Sequence, residues 1–299
     1  MRVHCHILSF CEGYNNKDLL IERFMNQSNA CDFIDSVEVI STIDHPYMVE
    51  FYKEHGSFVS DNQRGFGYWL WKPFVVLKKL NDIPVGDVII YADIGCELSP
   101  QGGAVFSDYM KLLNSQNIVC FNTGNGNQEL CWTKKELIDY FNLPIFKTTE
   151  QQIAATFFVI KNNNFSKHFV AEWLRIACLN DYVYINDYLT IQQSLLFIEH
   201  RHDQSIFSML IKKHNISPLT QLTEYPLSMY KKNSYVLIFP VHTLRTKNEF
   251  FNITSDLYVS SRSLFIRYIL FLWEFNLYRI KGKFLRVFHR LFGKLFSVK

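Results

Sequence analysis

The sequence has no Cys-x-x-Cys pair, no internal repeat, no low-complexity stretch and no apolar run long enough to cross a bilayer. Each absence removes a class of protein. The seven cysteines (Cys5, Cys11, Cys31, Cys96, Cys120, Cys131, Cys178) are irregularly spaced, which excludes a zinc ribbon or a dithiol redox motif. Their odd number fits a reducing cytoplasm better than a disulfide framework. The N-terminus, Met1-Arg2-Val3-His4-Cys5-His6, lacks the apolar core of a secretory leader. The most apolar stretch covers residues 268–273 before Glu274 interrupts it, whereas a spanning helix needs about 20 residues.

What is present is a large apolar inventory and a divided charge. With 48% hydrophobic residues and 16% aromatics, the 299-residue chain can bury a sizeable core, which argues against disorder. The net charge of +3 conceals a tail, residues 262–299, with nine Lys or Arg against Glu274 alone. Residues 1–261 hold the remaining 22 basic and 27 acidic side chains, so an acidic body carries a basic tail. Two such parts call for different partners.

Periodicity predicts strands alternating with helices. Strands are expected at residues 6–10, 33–42, 88–91, 118–121 and 157–161, where short apolar or β-branched runs end in turn residues. Helices are expected at residues 16–24, 73–80, 133–141 and 164–179. Pro73 suits a first turn, and Thr133 suits a cap with Glu136 three residues on. The pattern implies an α/β sheet flanked by helices, with ligands at the carboxyl ends of the strands. One domain over residues 1–255 and an appendage over 256–299 are the expected organisation.

Three segments carry chemistry. The first is Arg64-Gly65-Phe66-Gly67-Tyr68-Trp69-Leu70-Trp71-Lys72-Pro73. Glycines such as Gly67 let backbone approach a ligand, aromatics such as Tyr68 and Trp71 stack on a base or sugar, and Arg64, Lys72 and a helix start favour phosphate. A nucleoside diphosphate sugar needs all of these, although Trp69 and Trp71 would also serve as core anchors. The second segment closes an apolar run at Asp93-Ile94-Gly95-Cys96-Glu97. Asp93 at a strand end could hold Mg²⁺ or Mn²⁺ with Glu97 as a second ligand, and Gly95 leaves room beside it; capping the next turn is the plainer role for Asp93. The third, Glu199-His200-Arg201-His202-Asp203-Gln204-Ser205, precedes an apolar helix over residues 206–211. His202 or Asp203 could be a general base, while Asp203 would equally well cap that helix.

Taken in order, GFGYWLWKP, VIIYADIGCEL and HRHDQSIFSML resemble bacterial GT-A-fold glycosyltransferases of the O-antigen and capsular polysaccharide type. The matching blocks cover residues 64–98 and 152–212. The resemblance implies a GT-A-like (Rossmann-like) mixed sheet, a nucleotide-sugar donor, usually uridine-linked, and a divalent metal held at Asp93. It also implies acceptor contacts in the block that begins at Gln152 and includes Thr156. The sequence departs from the Asp-x-Asp pattern common in such enzymes, reading Asp93-Ile94-Gly95.

In the tail, Phe284, Phe288, Leu291 and Leu295 recur at helical spacing, interleaved with Lys283, Arg286, Arg290 and Lys294. A basic amphipathic helix on an anionic membrane surface accounts for both sets, and an ordinary helix packed on the body is the simpler alternative. The expectation is a cytoplasmic enzyme, peripheral on the inner face of the cell membrane, acting on a lipid-linked saccharide acceptor. Nucleic acid is not expected as a partner, because the body is acidic. The rival reading is a non-catalytic membrane-surface carbohydrate-binding or assembly protein with a degenerate transferase fold.

Overall fold

The apolar runs become the inside of one sheet in a computed structural model, which describes residues 2–124, 126–220 and 238–243. β1 (Cys5–Phe10) is followed by α1 (Lys17–Asn29) and β2 (Ser36–Ile40). Next come α2 (Pro46–Asp61), the four-residue turn α3 (Gly65–Tyr68), α4 (Trp71–Asp82) and β3 (Val88–Ala92). β4 (Glu97–Leu98), α5 (Gly103–Gln116) and β5 (Ile118–Val119) lead to three short helices, α6 (Glu129–Trp132), α7 (Lys135–Phe141) and α8 (Ile145–Thr149). β6 (Phe157–Lys161), α9 (Asn164–Tyr182), α10 (His202–Lys213) and β7 (Val241–His242) follow.

The main sheet has the order β2-β1-β3-β6-β5. β1 pairs in parallel with β2 and β3, placing Ile7 between Val37 and Ile90, and β6 runs antiparallel between β3 and β5. Successive side chains of a strand point to opposite faces. Leu8, Phe10, Ile89 and Tyr91 therefore join a core with α2, α4, α9 and α10. Ile7, Val88, Ile90 and Ala92 join a second core with α1 and α5. Strands covered on both faces read as continuous apolar runs, which is why β3 and β6 stand out in the sequence. The result is the expected α/β architecture, a mixed sheet flanked by helices.

Two local expectations are corrected. Thr133 does not cap α7. Its hydroxyl donates to Glu129 Oε1 at 2.5 Å, and Lys134 occupies the cap position. Asp203 does not cap α10 either, because the helix begins at His202 and the carboxylate lies inside its first turn. The appendage over residues 256–299 and the boundary at 255 lie outside the described residues. No helix among the described residues is long and apolar enough to cross a membrane.

β4 and β7 form a small antiparallel pair, with Glu97 opposite His242. The chain before β7 is seated on Gly102, where an added Cβ would lie 2.2 Å from Pro240 Cα. Backbone cannot yield as a side chain tip does, so Gly102→Ala should destabilise the protein by about 1–3 kcal/mol. Thermal melts check this against Gly124→Ala, whose added methyl meets nothing within 4 Å.

Candidate functional site

The carboxyl ends of β1 and β3 lie side by side because the two strands are parallel neighbours. Beyond them opens a hollow of about 550 Å³. The β3 end supplies Asp93 and Gly95, and the β1 end supplies Phe10, Glu12, Gly13 and Tyr14. Arg64, Trp71 and Lys72 form a second wall, Gln152 and Thr156 a third, and His202 and Asp203 a fourth. Nine of the residues singled out in the sequence thus share one space. Gly67, Tyr68 and Glu97 are not among its lining residues.

The Arg64 wall has unusual backbone. From Gly65 through Trp69 every φ is positive, between 53° and 73°, so α3 is a turn of left-handed helix. Tyr68 N–H donates to Arg64 O at 2.8 Å and Trp69 N–H to Gly65 O at 3.0 Å. Gly65 and Gly67 adopt this region without penalty, whereas Phe66, Tyr68 and Trp69 pay about 1–2 kcal/mol each. Aromatic contacts hold them there. Trp71 stacks on Phe10 with centroids 3.9 Å apart and donates its indole N–H to Gly65 O at 3.0 Å. Tyr68 stacks on His202 at 4.5 Å, so it supports the wall from behind. The Arg64 guanidinium is engaged by Glu199 and by Asp187, the latter at 3.4 Å.

Lys72 sits at the floor. It is 3% exposed, and its ammonium lies 3.0 Å from Asp203 Oδ2, 3.3 Å from Asp93 Oδ1 and 3.2 Å from Ala155 O. Burial alone would lower its pKa, but the two carboxylates outweigh that and hold it above the ordinary lysine value. Asp93 Oδ1 also accepts from Tyr91 Oη at 2.7 Å. Burial pushes the Asp203 carboxyl up to about 6, with Lys72 pulling the other way.

His202 Nδ1 lies 2.8 Å from Ile185 O, a partner that can only accept, so Nδ1 carries the proton of the neutral ring. Burial pushes the imidazole down to about 4. His200 is equally committed, bonding Tyr184 O through Nε2 at 3.0 Å. Gln152 fixes the opposite wall, since its amide nitrogen lies within 3.3 Å of Glu129, Trp132 O, Thr133 and Ser205. Its carbonyl accepts from Gln204 at 2.7 Å. Behind it, Lys212 and Glu129 form a buried ion pair at 2.6 Å.

The donor set for a divalent cation does not assemble around Asp93. Glu97 is fully buried, paired with Arg23 at 3.0 Å and accepting from Gln27 at 2.9 Å. This corrects its placement as a second ligand: pairing of β4 with β7 sends its carboxylate to α1. Among the described residues no three His, Cys, Asp or Glu gather as a metal site. Of the expected pair only Asp93 faces the hollow, so a divalent cation there would need its remaining oxygens from water or a bound diphosphate.

Tyr14, Trp132 and Thr243 also line the hollow and were missed by sequence reasoning, while Arg201, part of the third segment, was given no role there. The one available signal was position, since Tyr14 follows the first parallel strand, where open α/β sheets bind ligands. The Arg201 guanidinium lies 4.1 Å from the Trp132 ring centroid, an arrangement visible only in three dimensions.

No protein-family model and no curated protein matches the chain. Several solved structures resemble it. Mouse xyloside xylosyltransferase 1 is 12% identical over 83% of this chain and 100% of its own, with a TM-score of 0.44. A glycosyltransferase involved in glycosylation of the major capsid of PBCV-1 is 8% identical over 81% of this chain and 92% of its own, with a TM-score of 0.44. The galactosyltransferase LgtC, in complex with donor and acceptor sugar analogs, is 13% identical over 76% of this chain and 77% of its own, with a TM-score of 0.42. All three are glycosyltransferases, and this chain is similar to them in outline only.

Proposed function

We propose that this protein is a glycosyltransferase that moves a sugar from a nucleotide-sugar donor, uridine-linked, to a lipid-linked or growing saccharide of the O-antigen or capsule kind. It would work in the cytoplasm, peripheral on the inner face of the membrane. The observation that carries the reading is the single hollow at the strand ends, where the Gly-rich aromatic wall meets Asp93, Gln152 and Asp203. The Arg64, Trp71 and Gly95 walls take the donor, and the Gln152 and Thr156 wall takes the acceptor. Asp203 is the better base of the two candidates, because a carboxyl near 6 matches a neutral working pH while His202 near 4 is a weak acceptor.

The test is a screen of nucleotide sugars for transfer or hydrolysis, with and without Mn²⁺. On the donor so found, kcat/KM should fall about tenfold per pH unit below about 6, as Asp203 gains the proton that stops it accepting another. Asp203→Asn should remove that limb with most of the rate. A pH-independent rate from 5 to 8 (roughly, the window of such a base) would remove Asp203 as the base.

One observation favours the non-catalytic alternative. Lys72 is already neutralised by two carboxylates, and Arg64 by two more, so neither offers net positive charge to a diphosphate. Calorimetric titration separates the readings, since failure to bind any nucleotide sugar in either condition supports the carbohydrate-binding role.

A further inference from the structure

Between Asp187 and Glu199 the chain runs through eleven uncharged residues, Tyr188-Leu189-Thr190-Ile191-Gln192-Gln193-Ser194-Leu195-Leu196-Phe197-Ile198. Most of their apolar side chains face solvent. Leu195 is fully exposed, and Tyr188, Leu196 and Ile198 are each more than 60% exposed. Isolated exposed leucines need no explanation, but a contiguous apolar segment does.

The segment is braced from beneath. Lys134, itself fully buried, donates to Asn186 O at 2.8 Å, Asn186 Oδ1 at 3.0 Å and Tyr188 O at 3.2 Å. The Glu136 carboxylate accepts from Thr190 N–H at 2.5 Å, Ile191 N–H at 3.2 Å and the Gln193 amide at 2.8 Å. Ile198 N–H is tied to Cys131 O at 2.8 Å. Two charged side chains on α7 and its cap therefore satisfy the loop backbone while its apolar tips point outward. A loop held this way loses little entropy on burial.

Its ends sit on the rim of the hollow, because Asp187 and Glu199 both engage Arg64. We infer that residues 188–198 are a membrane-insertion loop, whose apolar tips enter the headgroup–acyl boundary of a lipid surface and set the hollow against it. Charge selects lipid over a second copy of the chain. The loop has no charge to desolvate, and residues 262–299 supply the cations that an anionic headgroup layer attracts.

The experiment is co-sedimentation of the full chain with phosphatidylcholine vesicles, neutral or containing phosphatidylglycerol. About 0.5 M salt shortens screening to a few ångströms and removes most of the tail's contribution. Under that condition the wild type should still partition onto neutral vesicles. Leu195→Asp with Leu196→Asp should partition roughly 30-fold less, from two lost apolar side chains, with an unchanged melting curve. Equal partitioning of the two proteins overturns the inference, as does a wild type that ignores neutral vesicles. A double variant that converts a dimer to a monomer without altering vesicle binding assigns the loop to a second copy instead. The readout is independent of sugar transfer, so its failure and that of the proposed activity are distinguishable.

Discussion

Replacing Lys72 with methionine should cost about 3–5 kcal/mol of stability, which lowers the melting temperature by on the order of 10 °C. Methionine is close in volume to the lysine stem, so packing changes little. What is lost is the cation that lies between Asp93 and Asp203, at 3.3 and 3.0 Å. The Asp203 carboxylate, 5% exposed at its side chain, is then buried without a counter-ion. It responds by holding its proton to still higher pH than the present value of about 6. The sign follows from proton linkage. Asp203 then binds a proton in the folded protein at pH values where the unfolded chain has released it, so stability falls as pH rises towards the folded pKa. The Lys72→Met deficit should therefore be smaller at acid pH than above neutrality. Adding Asp203→Asn should restore more than half of the loss, because the uncompensated charge disappears with it. A double-mutant cycle of thermal melts checks this, and strict additivity would mean that ammonium and carboxylate are not coupled.

Asp93→Ala should reduce transfer by about 10³-fold while leaving the fold intact, within the range seen when one positioned polar group is removed from an active site. The side chain is one-third exposed, at the mouth of the hollow, so its pairing with Lys72 is partly screened. Lys72 keeps Asp203 and the Ala155 carbonyl when Asp93 is gone. The melting curve should then shift by no more than about 1 kcal/mol. Asp93→Asn is the informative companion, since its amide oxygen can still accept from Tyr91. If asparagine restores melting but not kcat/KM, the charge is what the reaction needs. Wild-type turnover by the alanine variant would remove Asp93 from the mechanism.

How much of this was legible in the sequence depends on the range of the interaction. β3 and β6 announce themselves because strands buried on both faces read as continuous apolar runs, whereas β1 is interrupted by His6 and Ser9. The meeting of Lys72 with Asp93 was legible at the level of segments, since a helix start and a strand end converge wherever an open α/β sheet binds its ligand. The antiparallel direction of β6 was not, because apolar composition is the same for either sense. Glu97 looked like a partner for Asp93 by proximity in the chain. Its true neighbours, Arg23 and Gln27, come from α1, 74 and 70 residues earlier. Arg64 looked like a phosphate ligand, yet its carboxylate partners lie 123 and 135 residues away. α2 had a signal in Met48, Phe51, His55 and Val59, spaced three or four apart behind a proline start. Polar residues between them hid it from a search for apolar runs.

The left-handed turn at residues 65–69 bears on how the protein is made. Tyr68 finds its stacking partner in His202, 134 positions later, so this contact forms only after the intervening chain is synthesised, whereas Trp71 can brace Gly65 at once. β1, β2 and β3 can pair before then, but the Arg64 wall gains its support from His202 only once α10 is made. The hollow is thus completed after the strands that carry it have paired.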